Sequence, residues 1–165
     1  MNDLQTLVTQ LSSGNVAQQA AAAEALAQLG DGARPAAVAL IEACATTDEN
    51  VRQWCTAALE ELGPPSAGQI ADLIRLARDP SRDVAYWAIT LLGRAGDAAP
   101  SAVATLADLV RNSADSSLRE RAAWALGKMG AMAQPAIPAL REAAASNQPR
   151  LSRLAKNALD AIIGQ

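Results

Sequence analysis

Aromatic and arginine side chains are the residues of this chain with the clearest capacity for recognition chemistry. The 165 residues include three Trp and one Tyr, with no Phe. Trp and Arg dominate binding hot spots, because an indole buries a large area and a guanidinium carries several hydrogen-bond donors. The alternative is that the rings fill gaps in a core of small side chains. The candidate partner-binding residues are Trp54, Tyr86, Trp87, Arg121 and Trp124.

Catalytic chemistry has little support in the sequence. The chain has no His, which removes Ser-His-Asp and Cys-His systems and the commonest general base. The 17 Asp and Glu residues include pairs at helix ends and turns, where solvation or the helix dipole explains them. The glycines of GKMG (127–130) close a helix and form no phosphate-binding loop. We therefore predict that the chain is not an enzyme and has no catalytic residues.

Two cysteines, Cys44 and Cys55, could in principle form a disulfide, hold a metal or attach a chromophore. Their spacing is not that of a C-x-x-C pair, and without any histidine they make a poor zinc site. Free cysteines behave as small apolar residues in a reducing compartment. We predict that both are buried, and that the chain holds no metal and no cofactor.

A repeat of fixed period must position these side chains. Five segments end alike, and we call their matching leucines the anchor leucines. They are separated by 33, 33, 34 and 33 residues. The anchor leucines are Leu26, Leu59, Leu92, Leu126 and Leu159. A period in this range indicates a stacked array of supersecondary units, and such arrays bind through extended surfaces.

Each period reads as two helices. The first half carries apolar residues at steps of three and four, as in Val103, Leu106 and Val110. The second half has a small residue four places before the anchor and an apolar residue three places after it, such as Leu29 and Leu62. The glycine that follows in the first four units is expected to cap the helix in a left-handed conformation. These glycines are Gly30, Gly63, Gly96 and Gly130.

The residues also resemble a known family. The runs ENVRQWCTAALEELG (49–63) and SSLRERAAWALGKMG (116–130) resemble the HEAT-like repeat associated with phycobilisome lyases, and AQPAIPALREAAAS (133–146) resembles its first helix. The resemblance covers essentially the whole chain. We predict an all-α fold, a right-handed α-solenoid of about five two-helix HEAT-like repeats in a single domain, 1–165. The expected repeats are 1–30, 31–63, 64–96, 97–130 and 131–165.

The resemblance also implies where the candidate residues point. In similar proteins the second helices line the concave surface, which would place Trp54, Trp87 and Arg121 in a row about 10 Å apart. Arg52 and Arg119 occupy the family's recurrent arginine position in their repeats. We expect these two arginines to be structural, paired with a carboxylate of the adjacent unit. The predicted function is a non-catalytic scaffold that binds a protein partner on this concave face.

Charge and hydropathy leave two alternative functions. Residues 1–63 carry 8 acidic and 2 basic side chains, net −6, and residues 64–165 carry 9 and 12, net +3. The first alternative is an accessory resembling phycobilin lyase subunits, with Trp54, Tyr86 and Trp87 flanking a pigment. The second alternative is nucleic-acid binding, which a pI near 4.9 disfavours. We expect no membrane span, a cytoplasmic location, and a monomer or weak homo-oligomer.

Overall fold

Ten α-helices make up most of the described chain. The computed structural model describes residues 3–164, and this range contains no β-strand. Short 3₁₀ turns precede the first helix of the last four pairs. The α-helices are α1 (Leu4–Ser13), α2 (Val16–Gln28), α3 (Ala37–Ala43), α4 (Glu49–Glu61), α5 (Ile70–Leu76), α6 (Arg82–Ala95), α7 (Val103–Asn112), α8 (Ser116–Lys128), α9 (Ile137–Ala144) and α10 (Pro149–Ile163). The predicted all-α fold class of about five helix pairs is confirmed.

Polar residues begin several of the second helices. The Asn15 side chain accepts the backbone N–H of Gln18, and the Gln18 side chain accepts the N–H of Asn15, which forms a capping box on α2. Asp48 accepts the N–H of Val51 at 2.9 Å at the start of α4. Asp115 accepts two backbone N–H groups at the start of α8. These bonds satisfy donors that have no partner within the helix.

Glycine ends three of the second helices as predicted. Gly30, Gly96 and Gly130 have φ values of 54°, 58° and 54°, which residues with a Cβ rarely adopt. The same prediction was wrong for Gly63, where α4 ends in extended backbone at Leu62. Gly63 precedes Pro64, and a proline restricts the conformation of the residue before it. Its N–H instead donates to the side chain of Asp31 at 3.0 Å.

The helices group into two compact units, residues 1–69 and 70–165. In the first unit, α1 packs against α2 and α3, and α4 packs against α2 and α3. In the second unit, α8 lies between α6 and α10, while α7 packs against α8 and α9. The second helices of this unit, α6, α8 and α10, thus form one continuous layer. That the whole of 1–165 is a single domain stays a prediction.

Small buried residues let the second helices approach closely. The residue four places before each anchor leucine is fully buried, and the five are Ala22, Cys55, Ala88, Ala122 and Ala155. Two positions depart from the expected core. Leu29 is 49 % exposed, and the last anchor, Leu159, is only half-buried. Both lie in the terminal helix pairs, α1–α2 and α9–α10, which each pack against one neighbouring pair within their unit.

Candidate partner-binding site on the second helices

Arg121 lies at the centre of a cluster of aromatic rings in the second unit. Its guanidinium carbon is 4.4 Å from the centroid of the Tyr86 ring and 4.9 Å from that of the Trp124 ring. The same guanidinium donates a hydrogen bond to the Tyr86 hydroxyl. All three side chains are partly exposed. A cation over an aromatic face is attracted by the ring quadrupole, so the rings hold the guanidinium in place while part of it faces solvent.

Close approach of α6 and α8 brings the cluster together. A Cβ added to Gly93 would overlap Cζ3 of Trp124 and lie 3.1 Å from Cα of Ala125. The absence of a side chain at Gly93 therefore lets the indole of Trp124 lie against the backbone of α6. Trp124 and Arg121 are one turn apart on α8, so both reach the same side of that helix. The site consequently depends on two neighbouring repeats.

Arg121 contacts the residue next to the one that holds its equivalent place in the preceding repeat. The repeat register aligns Arg121 with Trp87, but the guanidinium contacts Tyr86, one residue earlier. Trp87 lies at the edge of the cluster, in a perpendicular contact with the Tyr86 ring at 5.9 Å between centroids. Trp54 belongs to α4 in the first unit and is partly exposed there.

Two residues that the sequence analysis missed also belong to the cluster. The Lys128 ammonium lies 5.9 Å from the centroid of the Trp124 ring. Its position four residues after Trp124 on a helix is the spacing that could have revealed it. Arg150, in α10, acts through its charge. Burial, and then the repulsion from Arg150, lowers the pKa of the Arg121 guanidinium from its ordinary value.

The recurrent arginines make contacts within their own repeats. Arg119 donates from Nε to the backbone carbonyl of Val110 at 2.8 Å, near the end of α7. Ser152 holds the equivalent position in the last repeat, and its hydroxyl donates to the carbonyl of Ala144 at 2.6 Å. Arg52 pairs with Glu49 on its own helix. The expected pairing with a carboxylate of the adjacent unit was therefore wrong, because a carbonyl or carboxylate lies closer within the repeat.

The remaining candidates for chemistry are few. Cys44 and Cys55 are buried free thiols, and the Cys44 thiol donates to the carbonyl of Leu40 at 3.3 Å. Across residues 3–164, no three Cys, Asp or Glu side chains converge in a way that could hold a metal ion. Over the same range, every helix is too short or too polar to cross a bilayer.

Two family models match separate parts of the chain. A family model described as HEAT repeats matches residues 70–160, more than half of the sequence. A second model, described as the PBS lyase HEAT-like repeat, matches residues 18–46. No curated protein sequence matches significantly. The resemblance drawn from the sequence is therefore confirmed.

Solved structures with a similar fold include designed and natural repeat proteins. An engineered protein shares 23 % identity at a TM-score of 0.68, covering 98 % of this chain and 80 % of that one. A designed armadillo repeat protein in complex with the peptide (KR)4 shares 18 % identity at a TM-score of 0.65. The match covers 96 % of this chain and 81 % of that one. The complex of CpcE and CpcF of phycocyanin lyase from Nostoc sp. PCC7120 shares 23 % identity at a TM-score of 0.63. The match covers 94 % of this chain and 97 % of that one. These likenesses show the fold alone.

Proposed function

Because the chain belongs to the HEAT repeat family, we propose that it is a non-catalytic scaffold that binds a protein partner. The proposed contact residues lie on second helices, one in the first unit and four in the second. They are Trp54, and Tyr86, Trp87, Arg121 and Trp124. The observation that carries the proposal is the ordered cluster around Arg121, in which large rings remain partly exposed.

Two physical features favour a protein as the ligand. A repeat array offers a long shallow surface, which suits an extended segment better than a small molecule. The Arg121 cluster is also held in position by ring contacts and a hydrogen bond before any partner arrives. Side chains that are already ordered lose less entropy on binding, so more of the contact energy appears as affinity. The designed armadillo protein with its bound peptide supports peptide recognition by this fold.

A small-ligand accessory is the second candidate, and one comparison favours it. The fold is shared with the CpcE–CpcF complex of a phycocyanin lyase. The HEAT repeat fold is typical of non-enzymatic scaffolds, although that neighbour leaves catalysis open. On this view Trp54, Tyr86 and Trp87 flank a pigment. Visible absorbance that stays with the purified chain would favour this candidate over the scaffold.

Affinity capture with matched variants tests the scaffold proposal. The native chain, the double variant Trp54→Ala/Trp87→Ala, and Met132→Ala are compared on lysate from the source cell. Met132 is 48 % exposed but lies in the 3₁₀ turn Gly130–Ala136 and is not one of the proposed contact residues. It therefore controls for the loss of any exposed apolar side chain.

We expect one partner to be captured by the native chain and by Met132→Ala, and lost with the folded double variant. Removing two hot-spot indoles costs about 2 kcal/mol or more each, which is enough to abolish capture. Circular dichroism establishes that each variant is folded. Equal capture by all three chains would place the contact surface elsewhere and contradict the proposal.

A further inference from the structure

The cation at the centre of the aromatic cluster differs from most other arginines of the chain. Within the described residues, Arg121 has no carboxylate partner; its contacts are the Tyr86 hydroxyl and two rings. Seven other arginines form ion pairs, and they are Arg34, Arg52, Arg75, Arg78, Arg82, Arg111 and Arg150. A half-buried charge without a counter-ion is unfavourable, and an arginine cannot escape the cost by losing its proton.

The surroundings of Arg121 add positive charge rather than removing it. Lys128 lies over the far ring of the cluster, and the charge of Arg150 acts on Arg121 from α10. Glu120 is the neighbouring carboxylate, but it pairs with Arg150 at 3.1 Å and its side chain is only 17 % exposed. Arg121, Lys128 and Arg150 together with Glu120 thus give three cations and one carboxylate, net +2.

We propose that the cluster binds an acidic segment of a protein partner, with one carboxylate on Arg121. This inference rests on the proposed scaffold function and names the chemical class of its partner. The guanidinium has further N–H groups beyond the one given to Tyr86, and these can donate to two carboxylate oxygens. The Tyr86 hydroxyl accepts from Arg121 and keeps its own hydrogen to donate. Flanking apolar side chains of the segment would pack on the rings of Trp87 and Trp124.

An acidic peptide fits the charge pattern better than a nucleic acid does. Nucleic-acid binding requires many phosphates to be neutralised at once, and its affinity follows the number of cations engaged. Here three cations lie at the cluster, while the whole chain has a net charge of −3. A long polyanion is disfavoured by the net negative charge of the chain, whereas a short acidic segment can be matched by the three cations alone.

Fluorescence anisotropy with labelled peptides tests this inference on the full chain. The probes are (EL)4, its uncharged analogue (QL)4, the basic peptide (KR)4 and a short oligothymidylate, all at about 50 mM salt. The variants are Arg121→Gln, which removes the charge, and Arg121→Lys, which keeps it. Arg141→Gln is the matched control, because Arg141 is exposed on the first helix α9.

We expect (EL)4 to bind about tenfold more tightly than (QL)4 and (KR)4, with the difference falling as salt is raised. Arg121→Gln should remove that tenfold preference, and Arg121→Lys should keep part of it, since lysine retains charge but not the two-pronged geometry. Arg141→Gln should change the affinity for (EL)4 by less than about twofold. The lysine variant keeps the test valid if loss of the charge disturbs folding.

Three results would overturn the inference. Equal affinity for (EL)4 and (QL)4, or an affinity for (EL)4 that Arg121→Gln leaves unchanged, would show that the cluster does not select carboxylates. Tighter binding of the oligothymidylate than of (EL)4 would assign the cations to nucleic acid. Neither peptide result alone contradicts the scaffold: if capture still depends on Trp54 and Trp87, the proposed function stands and only the acidic partner class is wrong.

Discussion

Two arginines on α8, only two residues apart, have opposite surroundings. Arg119 donates to the carbonyl of Val110, which lies near the end of the preceding helix in the same repeat. Arg121 faces the rings of Tyr86 and Trp124, and the Tyr86 hydroxyl is its one acceptor among residues 3–164. The first contact joins the two helices of a repeat, and the second leaves donors available to a partner. Stability should therefore depend on Arg119 and binding on Arg121.

Replacing Arg119 by methionine should separate these roles. Arg119→Met keeps an apolar stem of similar length but leaves the Val110 carbonyl without its donor, so we expect a loss of about 1–2 kcal/mol in the free energy of unfolding. Urea unfolding followed by circular dichroism measures the change, and anisotropy with (EL)4 should be unaltered. Arg141→Met, at an exposed position on α9, should stay within about 0.5 kcal/mol of the native chain. An unchanged midpoint for Arg119→Met would contradict a structural role.

At the scale of the residue, the sequence identified members of the cluster around Arg121 but not which of them touch. Aromatic type and helical spacing identified Tyr86, Arg121 and Trp124. The repeat register aligned Arg121 with Trp87, yet the guanidinium contacts Tyr86. Register describes where backbones lie, but the rotamer of a long side chain depends on which neighbours leave room for it. The close approach of Trp124 to Gly93 has the same origin, since it follows from the distance between two helices.

The helices of this chain are short, so their ends contribute strongly to their stability. Helices below about 12–15 residues are marginal on their own, and several here have only seven to ten. Capping bonds from Asn15, Asp48 and Asp115 satisfy exposed donors at three N-termini. Ser81 occupies the equivalent place before α6 without any cap bond from its side chain. These two situations allow a matched comparison.

Removal of the Asp48 cap should destabilise the fold by about 1 kcal/mol, since the N–H of Val51 loses its acceptor. Ser81→Ala is the control, and we expect a change of only a few tenths of a kcal/mol there because no cap bond is lost. Thermal unfolding by calorimetry measures both variants. Equal destabilisation by Asp48→Ala and Ser81→Ala would show that the hydrogen bond at Asp48 is not the source of the effect.

Element boundaries were predictable wherever a local rule decided them. Polar N-caps and apolar periodicity need only a few neighbouring residues, and the glycine rule held at Gly30, Gly96 and Gly130. It failed at Gly63, where the following proline changes the backbone preference. The exposure of Leu29 could not be read from its position in the repeat, because burial depends on how many neighbouring pairs pack against a helix.

Ion pairs between repeats recur across the second unit. Arg78 pairs with Asp108 at 2.7 Å, and Arg111 pairs with Glu142 through two hydrogen bonds of 2.9 and 3.1 Å. Hydrogen bonds from Asn112, and then from Arg78, lower the pKa of Asp108 from its ordinary value of 3.8. The hydrogen bond from Arg111 lowers the pKa of Glu142 from 4.5. In the first unit, the hydrogen bond from the N–H of Gly63 lowers the pKa of Asp31.

The whole molecule should therefore lose stability in acid. Each of these carboxyls has a lower pKa when folded than when unfolded, so its contribution is complete above the ordinary value and is lost as pH falls through the folded one. We expect the urea midpoint to be steady above pH 4.5 and to fall as the pH drops below 3.8. Urea unfolding at a series of pH values on both sides of this interval measures the change in midpoint.

Asp108→Asn should flatten that decline, because a neutral amide has no charge to lose on acidification. Asp97 provides the control, since it is exposed and makes no ion pair or side-chain hydrogen bond in the part of the chain described. Asp97→Asn should leave the slope as it is in the native chain. A decline that is equally steep in Asp108→Asn would assign acid sensitivity to other groups.

The aromatic cluster is shared by two repeats, and this affects how such a chain can evolve. Repeat arrays lengthen by duplication of whole units, a process that copies every residue within a unit. Tyr86 and Arg121 lie 35 residues apart on α6 and α8, so a unit inserted between them would separate the pair while leaving both parent sequences intact. At each new junction, Tyr86 or Arg121 would face a residue of the inserted unit instead of its present partner. The contact between Tyr86 and Arg121 is thus inherited through the order of the repeats, and a rearrangement that alters no codon within a repeat can still erase it.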